Sequence, residues 1–244
     1  MENRDKWPLA VAVILALGLI ISASIVTWGF IRVKAAGNTI TVTGSAKKTI
    51  TSDLGVWTGA FTVRAKDMKS GYTQLKNDEA VVKKYLIDRG IPEDEIEFSS
   101  INTSINYVIG PNGQYTNEVD GYVLTEEVKV ELKDVAKIKE LALKATDLMN
   151  LGIEFQSYPP QYFYTKLADL KVEMLSLATK DAKRRADEIA SNAGSKVGAL
   201  RSARMGVFQI TPLYSNNISD YGINDTSSLE KEITSVVSCS FEIK

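Results

Sequence analysis

The 244-residue chain contains no histidine. That absence excludes Ser-His-Asp and Cys-His catalysis, His-ligated zinc, and the commonest general base near neutral pH. One cysteine, Cys239, excludes an intramolecular disulfide, so the fold must be stable without one on either side of a membrane. Net charge is −1, from 29 basic and 30 acidic residues with both signs interspersed. There is no basic field for nucleic acid and no acidic tail. No motif calls for a cofactor or a metal.

What is present is a long apolar run. Trp7 to Ile31 reads WPLAVAVILALGLIISASIVTWGFI and carries no charge. A bilayer core about 30 Å thick needs roughly 20 apolar residues in a helix, so this stretch can span with some tilt. Its anchoring residues are Trp7, Leu9, Leu15, Leu19, Ile25, Trp28 and Phe30, with the two tryptophans near the ends, where amphipathic rings favour the headgroup region. Arg4 and Lys6 flank it on one side, Arg32 and Lys34 on the other. A cleaved signal peptide is the competing reading, with Ser22-Ala23-Ser24 as its cleavage site. The chain stays apolar past that point through Ile31, and Lys34-Ala35-Ala36 places a lysine where a small residue is needed. The residues favour an uncleaved anchor. Residues 1–34 are read as a cytoplasmic stub and transmembrane anchor, and residues 35–244 as an extracytoplasmic domain.

Beyond the anchor, strands come in runs between separated helices. Asn38 to Gly44 alternates as a short strand, followed by a turn through Lys47-Lys48 and a second strand from Asp53 to Ala65. Trp57, Phe61, Val63 and Ala65 share one face of that strand. Asp67 to Arg89 has helical spacing at Met68, Tyr72, Leu75, Val82 and Leu86, and is closed by Gly90. Ile96 to Val108 is extended, Gly110 to Gly113 is a turn, and Gly121 to Leu132 returns as a strand. Asp134 to Asn150 is a helix ending near Gly152, and Ile153 to Ser157 a short strand. Lys166 to Asn192 is the longest helix after the anchor. Its stripe runs Leu167, Leu170, Met174, Leu177, Ala178, Ala182, Ala186, Ile189 and Ala193, and its i,i+4 pairs are Asp181–Arg185, Lys183–Asp187 and Arg184–Glu188. A strand centred on Met205 to Ile210, a polar loop from Pro212 to Ser228 and a strand from Lys231 to Lys244 close the chain. This order predicts α+β with mostly antiparallel sheet rather than a doubly wound fold.

Four segments together resemble the SIMPL-domain family of bacterial envelope proteins. They are ITVTGSAKKTITSDLG (Ile40–Gly55), LIDRGIPEDEIEFSSINTSINY (Leu86–Tyr107), GYVLTEEVKVELKD (Gly121–Asp134) and ATKDAKRRADEIASNAGSKVG (Ala178–Gly198). The specificity lies in their order and spacing. The resemblance implies an α+β domain, export across the inner membrane, homo-oligomers that can be ring-like, and an association with envelope and oxidative stress. It supplies no catalytic residues. A permanent anchor departs from many relatives.

Each candidate site has a plain structural reading beside the functional one. Glu126 falls on the apolar face of its strand, either as an acid or base of raised pKa, or as a carboxyl that lies at a strand end beyond the core or has a Lys or Arg partner. The strand pattern around Cys239 favours a buried, inert thiol over a redox sensor. The stretch Tyr158-Pro159-Pro160-Gln161-Tyr162-Phe163-Tyr164 is the densest in aromatics. It is either an interface, with Tyr158, Tyr162, Phe163 and Tyr164 at an oligomer contact, or a loop folded onto its own domain. Asp220, Asn224 and Asp225 match no calcium-loop spacing. Lys183-Arg184-Arg185 alternates with acids as a solvated helix face. The leading expectation is a non-enzymatic, single-pass membrane protein that self-assembles as a homo-oligomeric scaffold, and the alternative is a module that binds an envelope ligand or partner. A paired-carboxylate hydrolase is a third possibility without visible partners. If the aromatic stretch is the contact, exchanging Tyr162 and Phe163 for serine dissociates the assembly without unfolding the monomer.

Overall fold

The computed structural model describes residues 6–35 and 38–244, with side chains in the first helix described from Val11 to Phe30. The chain opens with α1 (Lys6–Ala35), β1 (Thr39–Thr51), β2 (Leu54–Ala65) and α2 (Met68–Asp88). Then follow β3 (Ile96–Phe98), β4 (Asn102–Ile109), β5 (Tyr115–Leu132), α3 (Val135–Lys144), β6 (Glu154–Ser157) and β7 (Gln161–Phe163). It ends with α4 (Leu167–Asn192), β8 (Val197–Met205), β9 (Gln209–Pro212), β10 (Ile223–Asn224) and β11 (Glu230–Ile243). The class is α+β, as expected.

In α1, Val11 to Phe30 forms 20 residues of mean hydropathy 2.4, none of it buried. At 1.5 Å per residue this is about 30 Å, the thickness of a hydrocarbon core. Two of its hydroxyls are paired within the helix, Ser24 donating to the Ile20 carbonyl at 2.7 Å and Thr27 to that of Ala23 at 2.8 Å. Leu15, Leu19, Ile25, Trp28 and Phe30 are all exposed. The side chains of Trp7, Leu9, Arg32 and Lys34, and all of Arg4 and Ala36, lie outside what is described.

The chain divides into two compact units. The first comprises residues 1–47, 171–208 and 234–244. Its core joins Val42 of β1 to Val237, Cys239 and Phe241 of β11 and to Ala178, Ala182 and Ala186 of α4. Alanine at every fourth position gives α4 a face without bulk, so the β1 backbone lies directly on it. A Cβ added at Gly44 would fall 2.2 Å from the Ala178 carbonyl oxygen and 2.3 Å from the Ala182 nitrogen. One residue on, the Ser45 amide donates to the Asp181 carboxylate at 3.0 Å, which also accepts from Arg184 at 2.6 Å and Arg185 at 2.7 Å. That amide bond, reinforced by the two guanidinium groups, pulls Asp181 down to about 2.

The second unit comprises residues 48–170 and 209–233. Its sheet runs β3-β5-β2-β6, with β4 also on β5 and β7 also on β2. Trp57, Phe61 and Val63 of β2 stand opposite Val130, Glu126 and Leu124 of β5. With Leu75, Val82 and Leu86 of α2 and Ile138 and Leu141 of α3 they form one core. The Trp57 indole donates to Ser157 Oγ at 2.9 Å, and Ser157 donates on to the Ala142 carbonyl at 2.8 Å, so the buried ring leaves no polar atom unpaired. Asp67 caps α2 by accepting from the Ser70 amide, and Gly90 ends it at φ 74°.

Several boundaries differ from the sequence reading. β1 runs straight through Lys47-Lys48 to Thr51. It is an edge strand, where lysines are tolerated. The turn falls at Ser52-Asp53 instead, and the Asp53 carboxylate accepts from the Thr165 amide at 2.7 Å and its hydroxyl at 2.8 Å. Burial would raise the Asp53 pKa, but these two bonds hold it below its ordinary value. The strand centred on Met205 to Ile210 is two strands broken at Gly206, whose amide donates to the Val236 carbonyl at 2.9 Å. Met68 and Tyr72 are half exposed, while the buried Gly71 takes the inward place, where a Cβ would meet Leu124 Cδ1 at 2.8 Å. The helix from Asp134 is α-helical to Lys144 and continues as a 3-10 helix to Leu151.

Candidate functional site

The aromatic stretch is tied down by its backbone. The Tyr158 amide donates to the Thr58 carbonyl at 3.0 Å and the Tyr162 amide to the Thr226 carbonyl at 2.7 Å. In β7 the register sets Tyr162 opposite Gly55, and the space a Gly55 side chain would take is filled by Ile138 of α3. Tyr162 is 6% exposed and belongs to the core of the second unit. Tyr158, Phe163 and Tyr164 are half-buried. Tyr158, Pro159 and Pro160, with Ala142 and Leu143 of α3 and Leu229, line an open groove of about 520 Å³. The stretch is therefore both a loop packed on its own domain and the wall of a surface groove.

Beneath that groove lies a residue the pattern reading passed over. Lys231 is 2% exposed, and its Nζ donates to the Tyr162 carbonyl at 2.6 Å and the Asp225 carbonyl at 2.5 Å. Burial lowers its pKa, and Asp225 opposes that shift. The Asp225 carboxylate is occupied by the Ser227 amide and hydroxyl and the Ser228 amide. Lys231 thus fastens β7 to the 225–228 turn. Asp225 faces its own turn, and among the described residues no group of three or more acidic or cysteine side chains is placed to hold a metal ion.

Glu126 is on the core face, 3% exposed, with Oε2 lacking any hydrogen bond. Lys76 of α2 stands 3.9 Å from Oε1 but bonds Glu79. Desolvation raises the Glu126 pKa, opposed by the Lys76 charge. The folded state therefore holds this proton more tightly than the unfolded chain, so stability falls as pH rises from about 4.5 through the raised folded value. Glu126→Gln removes the ionisation, and urea titrations across that window should show a flatter stability profile than wild type. A profile of unchanged slope would contradict the assignment. Asp78, buried on α2, has the same sign, raised by desolvation against a hydrogen bond from Gln74, and leaves a residual slope in the variant.

Cys239 is fully buried between β1, β8 and α4 residues, and burial pushes its thiol pKa up. In the basic run, Lys183 pairs with Asp187 at 3.2 Å and Arg185 with Asp181, as the spacing implies, while Arg184 turns back to Asp181.

The hairpin expected around the Gly110–Gly113 turn is longer than read, with β5 beginning at Tyr115, and it forms an arm with an exposed apolar face. Register sets Ile105 opposite Tyr122, Tyr107 opposite Val119, and Ile109 opposite Tyr115. These residues make a continuous apolar strip, yet Ile105, Tyr107, Ile109, Val119 and Tyr115 are 45, 40, 61, 44 and 77% exposed. Sequence could have signalled it through an apolar alternation on both sides of a tight turn.

These observations define an α+β protein with an apolar helix long enough to cross a membrane and an exposed apolar hairpin arm. Residues 40–241 match the family model SIMPL, described as a protein of unknown function (DUF541). The chain belongs to the SIMPL family. No curated protein matches it.

Proposed function

We propose that this is a non-enzymatic, single-pass membrane protein of the cell envelope whose α+β part lies outside the cytoplasm and self-associates as a scaffold. The observation that carries the reading is the apolar β4–β5 strip in a chain that also has a membrane-length helix. An isolated soluble domain rarely leaves aligned Ile, Val and Tyr pairs in water. A helix anchor holds every copy in one plane and one orientation, so weak lateral contacts count. The link to envelope or oxidative stress rests on family resemblance alone.

Orientation is argued from size and family. Basic residues flank α1 on both sides, and a strict count of them favours the domain inside, but large domains cross largely regardless of charge. Protease added outside spheroplasts should digest the domain. Digestion that requires lysis would overturn the orientation.

A second reading is a ligand- or partner-binding module, favoured by the groove beside Tyr158-Pro159-Pro160, where Leu143 is 71% exposed. Concave, mostly apolar surfaces with few polar groups are the usual form of such sites.

A further inference from the structure

We propose that the free edge of β4 pairs antiparallel with β4 of a second copy, about a two-fold axis at Asn106. The proposal rests on the self-association argued above and names its contact. An edge strand presents unpaired amides and carbonyls, and natural proteins blunt such edges with charge, proline or shortness. The other edges here are blunted. β1 carries Lys47 and Lys48, β3 Glu97, β6 Glu154, and β8 Arg201 and Arg204, while β7 spans Gln161–Phe163 and β10 Ile223–Asn224. β4 reads NTSINYVI, eight residues with neither charge nor proline, and all but Val108 are exposed. The irregularities in its pairing with β5 place the extra residues on β5 and leave β4 regular.

The sequence of β4 is complementary to itself. Directly opposed side chains in an antiparallel pair share a face, so a two-fold axis through a residue sets odd positions against odd. An axis at Asn106 sets Ile105 against Tyr107 of the second copy, Thr103 against Ile109, and Ser104 against Val108. The apolar strip then runs on across the junction, in aromatic–aliphatic and β-branched pairs, with no like charges opposed. An axis at Ile105 leaves Ile109 outside the ladder, and an axis between residues turns the apolar face of one copy against the polar face of the other. The contact is isologous, with the same patch on both copies.

Introduced cysteines test this cleanly, because Cys239 is fully buried. Full-length protein carrying Asn106→Cys is oxidised in its membrane, beside a Thr103→Cys counterpart. In the proposed register the two 106 positions are directly opposed, within disulfide reach. The two 103 positions are separated by about 20 Å, far beyond the roughly 7 Å limit for bridging. Conversion of Asn106→Cys to a disulfide dimer, with Thr103→Cys remaining monomeric on reducing-agent-free gels, is the expected result. Equal linking of both, or linking of Thr103→Cys alone, overturns the register. Unlinked Asn106→Cys in a protein that still sediments as an oligomer overturns the β4 contact and leaves self-association standing. Sedimentation as a monomer overturns both.

Discussion

Gly44→Ala should destabilise the first unit by about 3 kcal/mol or more, at the upper end for overpacking. The new methyl carbon would lie 2.2 Å from the Ala178 oxygen and 2.3 Å from the Ala182 nitrogen. Both are helix backbone atoms, which cannot rotate aside as a side chain would. β1 must lift from α4, separating Val42 from Ala178 and Ala182 and stretching the Ser45–Asp181 bond of 3.0 Å. Urea denaturation should show a lower midpoint with an unchanged slope. A midpoint within error of wild type would mean that β1 does not sit on α4 in this way.

Tyr162→Ser should cost about 3 kcal/mol, as truncation of a buried aromatic does. The ring is 6% exposed in the core of the second unit, and its carbonyl accepts from the buried Lys231 ammonium at 2.6 Å. Phe163→Ser, at a half-buried position, should cost less. The expectation that exchanging both residues dissociates an assembly without unfolding its subunits is therefore corrected: the Tyr162 half of that exchange acts on the fold first. Separate denaturation curves for the two variants check this. Equal, small losses would show that the Tyr162 ring is not part of the core.

The strands and helices were legible where one period dominated. The alternation of Trp57, Phe61 and Val63 marked a buried strand face, and Asp67 and Gly90 marked the ends of α2. The same alternation could have found Lys231, which shares the buried face of β11 with Ile233, Val237 and Cys239. It was passed over because lysine usually signals solvent, whereas here two carbonyls receive it. Exposure was the illegible quantity. Tyr158 to Tyr164 looked like an interface because it is rich in aromatics, but pairing with β2 draws Tyr162 inward. The alternation of Ile105, Tyr107 and Ile109 does not by itself tell a core face from an exposed one, and only the position of β4 beyond the edge of β5 leaves them in water. Close approach was equally hidden, since a glycine in a strand and alanines in a distant helix do not name each other in sequence.

The mass of the full-length protein in detergent, by sedimentation at micromolar concentration, tests self-association most directly. Self-association predicts a defined multiple of the 26.8 kDa chain that persists, more weakly, when α1 is removed. A single species of 26.8 kDa at that concentration would contradict it.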